Sequence, residues 1–362
     1  MADRTGIEWT DASWNPIVGC SVVSPGCTNC YAMKMAARLQ SIAESERAKN
    51  IVGIPHYLGL IAPSKGGPVW TGIVRLARPE TLAQPLRWRR PRRIFVNSMG
   101  DLFHESVPDE WIDRVFAVMA LCPQHTFQVL TKRSARMRAY MDRACGRIAD
   151  EAIELRRTPP AVARGLGPSA VVPLPHITPG KPWWPLPNVW LGVSTEDQRR
   201  ADKRVPDLLA TPAAIRFVSA EPLLGPLNLR RIRIAPDHHT MLDALDGYAI
   251  ADSISGSGQE RAMLDLVIVG GEGGPNARPM HPDWARSLRD RCAAAGTAFF
   301  FKQWGEWAPF PDGAPEADRL PPARREFWNR SEGEISLRIG KRAAGRLLDG
   351  VEHNTMPEAR HG

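Results

Sequence analysis

Short apolar segments alternate along this chain with segments of helical periodicity. The apolar segments are rich in β-branched and aromatic residues, which is typical of strands. We predict strands at 14–20, 94–101, 126–132, 189–196, 215–223, 265–272 and 298–305. Helices are predicted at 30–47, 108–121, 134–145, 197–210 and 282–295. Because several strands are continuously apolar and helices lie between them, the pattern favours a parallel sheet that is covered by helices.

The repeated strand–helix pattern predicts an α/β fold. A full or partial parallel βα barrel is favoured, because most predicted strands end in polar residues or glycine, and a doubly wound open sheet is the alternative. We expect the barrel domain to span residues 1–309, with loop insertions at about 49–70, 151–188 and 232–263 that are rich in turn-forming residues. Residues 310–362 are expected to form a small C-terminal appendage.

The composition is that of an ordinary globular protein. Of the 362 residues, 43% are hydrophobic and 24% are charged, and the sequence has no apolar run long enough to span a membrane. The N-terminal segment is polar and has no signal-peptide core, so we expect a cytoplasmic protein with no membrane partner. In that reducing compartment, the six cysteines are not expected to form a disulfide framework.

The chain is basic. It has 47 Lys and Arg against 39 Asp and Glu, a net charge of +8. The basic residues form local clusters, which are Arg87, Arg89, Arg90, Arg92 and Arg93; Lys132, Arg133, Arg136 and Arg138; and Arg199, Arg200, Lys203 and Arg204. Such clusters attract nucleic acid, although a solvated basic surface explains them equally well. No helix-turn-helix, zinc-finger or RNP motif predicts sequence-specific binding.

Polar residues recur at the carboxyl ends of the predicted strands, the edge on which parallel barrels build their sites. They are Cys20, Ser98, Asp101, Thr131, Lys132, Ser194, Glu196, Ser219, Glu221, Glu272, Lys302 and Gln303. The glycine-rich 270–274 has no GK[ST] ending, so we interpret it as a turn where the backbone approaches a ligand closely. Trp304 and Trp307 either stack on a base or pack at the end of the barrel.

Three cysteines, Cys20, Cys27 and Cys30, lie within eleven residues. A structural zinc ion needs a fourth ligand, which His104, His125 or His281 could supply. Three thiolates without a fourth ligand suit a [4Fe–4S] cluster that leaves one iron open for a substrate or cofactor. Cys122, Cys145 and Cys292 are instead predicted to be small buried thiols.

Several stretches resemble a family of phage and bacterial proteins with a three-cysteine motif. They are GIEWTDASWNPIVGCSVVSPGCTNCYA, FVNSMGDLFHE, FQVLTKR, WLGVSTE, FVSAEPLL, VIVGGEGGPNARPMHPDW and FFFKQWGEW. The triad, which follows the first predicted strand and whose last cysteine precedes Tyr31, also resembles the radical S-adenosylmethionine superfamily. Its spacing is C-x6-C-x2-C, whereas the usual spacing in that superfamily is C-x3-C-x2-C.

This resemblance implies that Cys20, Cys27 and Cys30 hold a [4Fe–4S] cluster whose open iron binds S-adenosylmethionine. An electron from a reductant such as flavodoxin or ferredoxin would cleave the sulfonium to methionine and a 5′-deoxyadenosyl radical, which abstracts a substrate hydrogen. It also implies that Ser98 and Asp101 contact the amino group of the cofactor. Lys132, Ser194, Glu196 and Glu221 would bind the cofactor carboxylate, the ribose or the substrate.

The expected substrate is nucleic acid or a nucleotide. The net charge favours it, and the FVNSMGD and LTKR stretches resemble those of DNA-photoproduct lyases in the same superfamily. Two alternatives stay open. One is a zinc-binding, non-redox protein that binds nucleic acid or acts as a phage accessory. The other is a metal-dependent hydrolase that uses Asp101, Glu196 and Glu221, although the chain has no HExxH motif.

Overall fold

A computed structural model describes residues 5–51, 53–157, 183–234, 240–251, 262–311, 313–329 and 334–357. Its main sheet has seven parallel strands, β1 Ala12–Trp14, β2 Arg93–Val96, β3 Thr126–Thr131, β4 Val189–Ser194, β5 Ile215–Ala220, β6 Leu266–Gly270 and β7 Ala298–Gln303. The strands follow one another in chain order and curl into a half-barrel. Because the order never reverses, as it does in a doubly wound sheet, the fold is a partial barrel.

The main helices are α1 Tyr31–Ala48, α2 Asp109–Ala120, α3 Ser134–Met141, α4 Cys145–Arg157, α5 Gln198–Ala210 and α6 Pro282–Ala295. Side chains alternate along the strands, so Ile94 and Val96 pack under the helices while Phe95 lies on the concave face. On the concave face the ring of Phe217 covers Gly192, where a Cβ atom would stand 2.5 Å from the ring.

The first predicted strand is displaced. The pattern predicts it at 14–20, but β1 ends at Trp14, and Ile17–Val18 pairs instead with Arg75–Leu76. Pro16, which has no backbone N–H to donate to a ladder, separates the two strands. The other six strands lie within their predicted ranges except that β2 begins one residue earlier. The predicted helix 134–145 is divided into α3 and α4, which continues to Arg157.

Smaller elements lie in the predicted insertions, in the appendage and in the segments between the main strands. The remaining strands are Ile61–Ser64, Gly67–Trp70, Ile232–Arg233, Thr240–Asp243, Tyr248–Ala251, Trp307–Pro311, Arg325–Asn329 and Glu334–Arg338. The short helices are Pro25–Cys27, Pro55–Tyr57, Pro79–Leu82, Pro85–Arg87, Pro315–Asp318, Pro322–Arg324 and Lys341–Ala344. Much of the predicted insertion 151–188 lies outside the described residues. The proposed division at residue 309 stays a prediction.

The C-terminal segment returns to the main sheet. Phe301 N donates to His353 O at 2.9 Å, and Phe300 forms an antiparallel bridge with Asn354. Met356 then packs against the concave cluster. This segment therefore covers part of the outer edge of β7. Among the described helices, none has the length and apolar character that a membrane span requires.

Candidate active site

A cavity of about 590 Å³ opens at the carboxyl ends of the strands. Of the nine residues that the resemblance assigns to the cluster, the cofactor or the substrate, its wall includes eight, namely Cys20, Cys27, Cys30, Ser98, Asp101, Lys132, Ser194 and Glu221. Ser219, Glu272, Lys302 and Gln303 line it as well. Glu196 is not among the described residues on this wall, and lies behind the cysteines. The volume is within the range of roughly 300–1,000 Å³ that is usual for small-molecule sites.

Two of the cysteines lie in a tight turn, residues 24–30, which we term the cysteine loop. Pro25–Cys27 forms one turn of 3-10 helix, and the Cys27 Sγ lies 3.8 Å from the Ser24 Oγ. Cys30 is the N-cap residue of α1, so the predicted start of that helix is confirmed to within one residue. The partial positive charge of a helix N-terminus favours an anionic group at this position.

Glu196 and Arg204 hold the cysteine loop from one side. The Oε1 atom of Glu196 accepts from Gly26 N at 3.3 Å, and its Oε2 atom accepts from Arg204 Nη1 at 2.9 Å. The residues are only 1% and 4% exposed. Burial alone would raise the pKa of Glu196, but Arg204 holds it below its ordinary value. Glu196 therefore remains a carboxylate that fixes the loop, not a group that faces the cavity.

Glu272 and Arg278 hold the same loop from the other side. The Oε2 atom of Glu272 accepts from Asn29 Nδ2 at 3.0 Å, while Arg278 Nη2 donates to Pro25 O at 2.9 Å. Arg278 Nε also donates to Glu272 at 2.8 Å. Burial would raise the pKa of Glu272, but these hydrogen bonds hold it below its ordinary value. The loop is thus held by two acid–arginine pairs that are distant in sequence.

Because the pKa values of both glutamates are lowered in the folded state, deprotonation stabilises the fold. This contribution is fully present above the unfolded-state pKa of about 4.3 and is lost as pH falls through the folded-state value. We therefore expect wild type to exceed Glu196→Gln in free energy of unfolding at pH 7, and the difference to shrink below about pH 4.3. Urea unfolding of both proteins at pH 7, 5, 4 and 3 measures this difference in the free energy of unfolding. A difference that is constant with pH would contradict the assignment.

Arg133 links Cys20 to Asp101. Its Nη1 atom lies 3.4 Å from Cys20 Sγ and 3.1 Å from Asp101 Oδ2. Burial, followed by the negative charge of Asp101, raises the pKa of the Cys20 thiol to about 12. Although burial opposes it, the charge of Asp101 raises the pKa of Arg133. The guanidinium is therefore a permanent cation beside this sulfur.

Asp101 has no lone pair left for a ligand. A carboxylate offers about four acceptor positions, and all four are used, by Phe103 N at 3.0 Å, Thr131 Oγ1 at 2.6 Å, Lys132 N at 3.1 Å and Arg133 Nη1 at 3.1 Å. The resemblance implies that Asp101 contacts the amino group of the cofactor. Its saturation instead gives Asp101 a positioning role, since it orients the β3 end and Arg133.

The other predicted residues differ in whether their polar groups are free to bind a ligand. Lys302 Nζ contacts both carboxylate oxygens of Glu221, at 2.7 and 2.9 Å. Ser98 Oγ donates to Asn15 Oδ1 at 3.1 Å, and Ser98 O accepts from the Tyr31 hydroxyl at 3.0 Å. The ammonium group of Lys132 has no hydrogen-bond or ion-pair partner among the described residues. Lys132 is therefore free to bind an anionic group in the cavity.

The histidines considered as a fourth zinc ligand do not line the cavity, although His104 contacts Ser21 of its wall. The Nε2 atom of His104 contacts Ser21 Oγ at 3.0 Å, that of His125 contacts Pro85 O at 3.2 Å, and His281 Nδ1 accepts from Asp283 N at 3.2 Å. None of them is among the described residues on the cavity wall. Nor does any group of three His, Cys, Asp or Glu side chains in the described ranges converge as a metal-ion site.

The donor set distinguishes the two metal centres. One zinc ion requires all its ligands to converge at about 2.0–2.3 Å from a single point, and the cysteines do not converge in this way. In a [4Fe–4S] cluster each cysteine binds a different iron, so three thiols on one wall supply the ligands for three of its corners. The wall carboxylates of Asp101, Glu221 and Glu272 are already paired with Arg or Lys. In number and chemistry, the three wall thiols are the ligands that a cluster held at three corners would use.

Other sequence interpretations are changed by the structure. Trp304 and Trp307 are buried, and their indole N–H groups donate to Leu347 O and Ala277 O, so they pack and do not stack on a base. Within 270–274, a Cβ on Gly271 would stand 1.9 Å from Trp304 O. The close approach at Gly271 is to another part of the backbone, while Gly271, Gly273 and Gly274 also line the cavity, so a ligand contact by this turn stays a prediction.

The match to known proteins is at the level of a family. A family model matches residues 4–357, and its description is "Protein of unknown function (DUF5131)". Neither a curated protein nor a solved structure matches the chain. The functional argument therefore depends on the residues of the cavity.

Proposed function

We propose that this chain, which belongs to the DUF5131 family, is an iron–sulfur enzyme that uses S-adenosylmethionine for radical chemistry on nucleic acid or a nucleotide. The observation that supports the proposal is that Cys20, Cys27 and Cys30 all line one cavity wall, which has no histidine among its described residues. The cofactor is inferred from the resemblance of the cysteine motif to that of the radical S-adenosylmethionine superfamily.

Cys20, Cys27 and Cys30 are the residues that would hold the cluster. When bound, the cluster supplies the electron that cleaves the sulfonium of S-adenosylmethionine. The protein provides a fixed cysteine loop and a permanent cation, Arg133, 3.4 Å from the Cys20 sulfur. Cationic donors near cysteine sulfurs favour their thiolate form and modify cluster potential. Arg133 therefore assists ligation by Cys20.

The remaining wall residues would bind the organic ligands. Lys132 presents an unpaired ammonium group for a carboxylate or phosphate. The Glu221–Lys302 pair presents both charges at the ends of β5 and β7, the two strands that flank β6, where it can orient hydroxyl or amide groups. Lys132 and Glu221 directly follow strands and Lys302 lies in one, so the sheet fixes the backbone positions of all three.

The test is anaerobic reconstitution with iron and sulfide, followed by dithionite and S-adenosylmethionine. We expect about four irons per chain and the release of 5′-deoxyadenosine. A fully loaded cluster that releases no 5′-deoxyadenosine would contradict the proposal. Stoichiometric zinc without iron, in protein purified in the absence of oxygen, would favour the non-redox alternative.

A further inference from the structure

The floor of the cavity is apolar and partly aromatic. Ile7, Trp9, Phe95 and Leu130 line it, and they continue into the concave core of the half-barrel. The ring centroids of Trp9 and Phe95 are 4.8 Å apart. We term these four residues the cavity floor. A floor of this kind suits a flat ring, which gains both apolar burial and aromatic contact there.

Three buried polar atoms on residues that line the cavity beside this floor have no hydrogen-bond partner. They are Trp9 Nε1, Asn97 Nδ2 and Gln303 Oε1, on residues that are 2%, 3% and 5% exposed. An unpaired buried polar group costs roughly 1–3 kcal/mol, and folded proteins pair nearly all of them. Of the fourteen such atoms among the described residues, these three belong to side chains that line one cavity, which favours a ligand that pairs with them.

The orientation of both amides is fixed by their other ends. Asn97 Oδ1 accepts from Ile17 N at 3.2 Å, which leaves its NH2 group as the unpaired donor. Gln303 Nε2 donates to Gly271 O at 2.9 Å, which leaves its carbonyl as the unpaired acceptor. With the indole N–H of Trp9, the residues offer two donors and one acceptor. Asn97 also has a left-handed backbone, with φ 59°, as is frequent at functional sites.

We propose that the cavity floor binds the base of a nucleoside or nucleotide substrate, an inference that rests on the proposed function. A nucleobase is planar and uncharged, and it carries the two acceptors and one donor that the unpaired atoms require. Because these atoms are themselves buried, side chains on the wall must rotate as the base enters. The floor is enclosed by strands, so a base inside a duplex cannot reach it, and the substrate is a free nucleotide or an extruded base.

Isothermal titration of the purified protein with adenosine, guanosine, cytidine and uridine tests this proposal. We expect at least one nucleoside to bind. Trp9→Phe, which keeps a six-membered aromatic ring but removes the five-membered part of the indole together with its N–H, should weaken that binding about tenfold or more, at least the value of one lost hydrogen bond to a buried group. Trp190→Phe is the matched control, because Trp190 belongs to the same concave cluster but does not line the cavity.

Asn97→Asp is the second variant, because aspartate tolerates the left-handed backbone and replaces the free donor with an acceptor. It should weaken binding as Trp9→Phe does, while thermal unfolding shows that each variant is folded. Unchanged affinity in both variants would overturn the proposal. So would the absence of nucleoside binding to wild type, with and without S-adenosylmethionine.

Two further binding experiments distinguish a failure of this inference from a failure of the proposed function. Nucleoside binding should persist in Cys30→Ala, since the cavity floor does not use the cluster. S-adenosylmethionine should not displace the nucleoside, and displacement would assign the floor to the cofactor and overturn the inference. If iron loads and 5′-deoxyadenosine forms but no nucleoside binds, only the assignment of the cavity floor as a base-binding site is refuted. If a nucleoside binds and no cluster forms, only the proposed function is refuted.

Discussion

Cys27→Ala is expected to lose most of the reconstituted iron and to form no detectable 5′-deoxyadenosine. Cys27 is buried in the cysteine loop, and its thiol is one of three on the cavity wall. A cluster reduced to two protein ligands exposes a second iron and is expected to decompose. Iron and sulfide assays, the visible absorption of the anaerobic protein and chromatographic detection of 5′-deoxyadenosine measure the effect.

Cys145→Ala is the matched control for Cys27→Ala. Cys145 is the first residue of α4, is only partly buried, and is not among the described residues of the cavity wall. Its replacement should leave iron content and product formation at wild-type levels. Equal iron in wild type and Cys27→Ala would refute the assignment of the triad, and equal iron loss in both variants would show that the effect is not specific to the wall.

Glu196→Ala is expected to lower the free energy of unfolding by about 3–5 kcal/mol, the cost of leaving a buried charge unpaired. Arg204, which is 4% exposed, would lose its carboxylate partner in this variant. The cysteine loop would also lose the acceptor of Gly26 N. Urea unfolding of the metal-free protein measures the loss, and a lower iron content after reconstitution would report the displaced loop.

The control for Glu196→Ala is a surface ion pair. Asp290 is paired with Arg289 at 2.8 Å, but its side chain is 65% exposed. Exposed pairs contribute about 0–1 kcal/mol, so Asp290→Ala should change stability by less than that. If Glu196→Ala costs no more than Asp290→Ala, the Glu196–Arg204 pair does not hold the loop as the structure implies.

The strands and the edge that carries the site could be predicted from the sequence, because a parallel sheet buried on both faces gives continuous apolar runs with polar ends. Ser98, Lys132 and Ser194 follow such runs, and they line one cavity. The first strand was mispredicted for a local reason. Ile17 and Val18 are more apolar than Ala12 and Ser13, but Pro16 separates them from β1.

The roles of the charged residues could not be predicted from charge clusters. Arg204 belongs to a basic run that predicts a solvated or nucleic-acid-binding surface, yet it is buried against Glu196. The helical spacing could have predicted that Arg204 is buried, since Arg204 lies on the same helical face as the buried residues Ala201, Val205 and Leu208. For Asp101 the sequence predicts the position but not the hydrogen bonds. Its position at a strand end is visible in the sequence, but its four donors come from the folded chain.

The return of the C-terminal segment to β7 has a practical consequence. An uncovered outer strand of a half-barrel is a template for pairing with another molecule. In the part of the chain that the structure describes, this strand is partly shielded by the bonds to His353 and Asn354. Shortening the protein at about Gly350 should therefore increase its self-association, while a purification tag placed ahead of the first strand would leave this shield untouched.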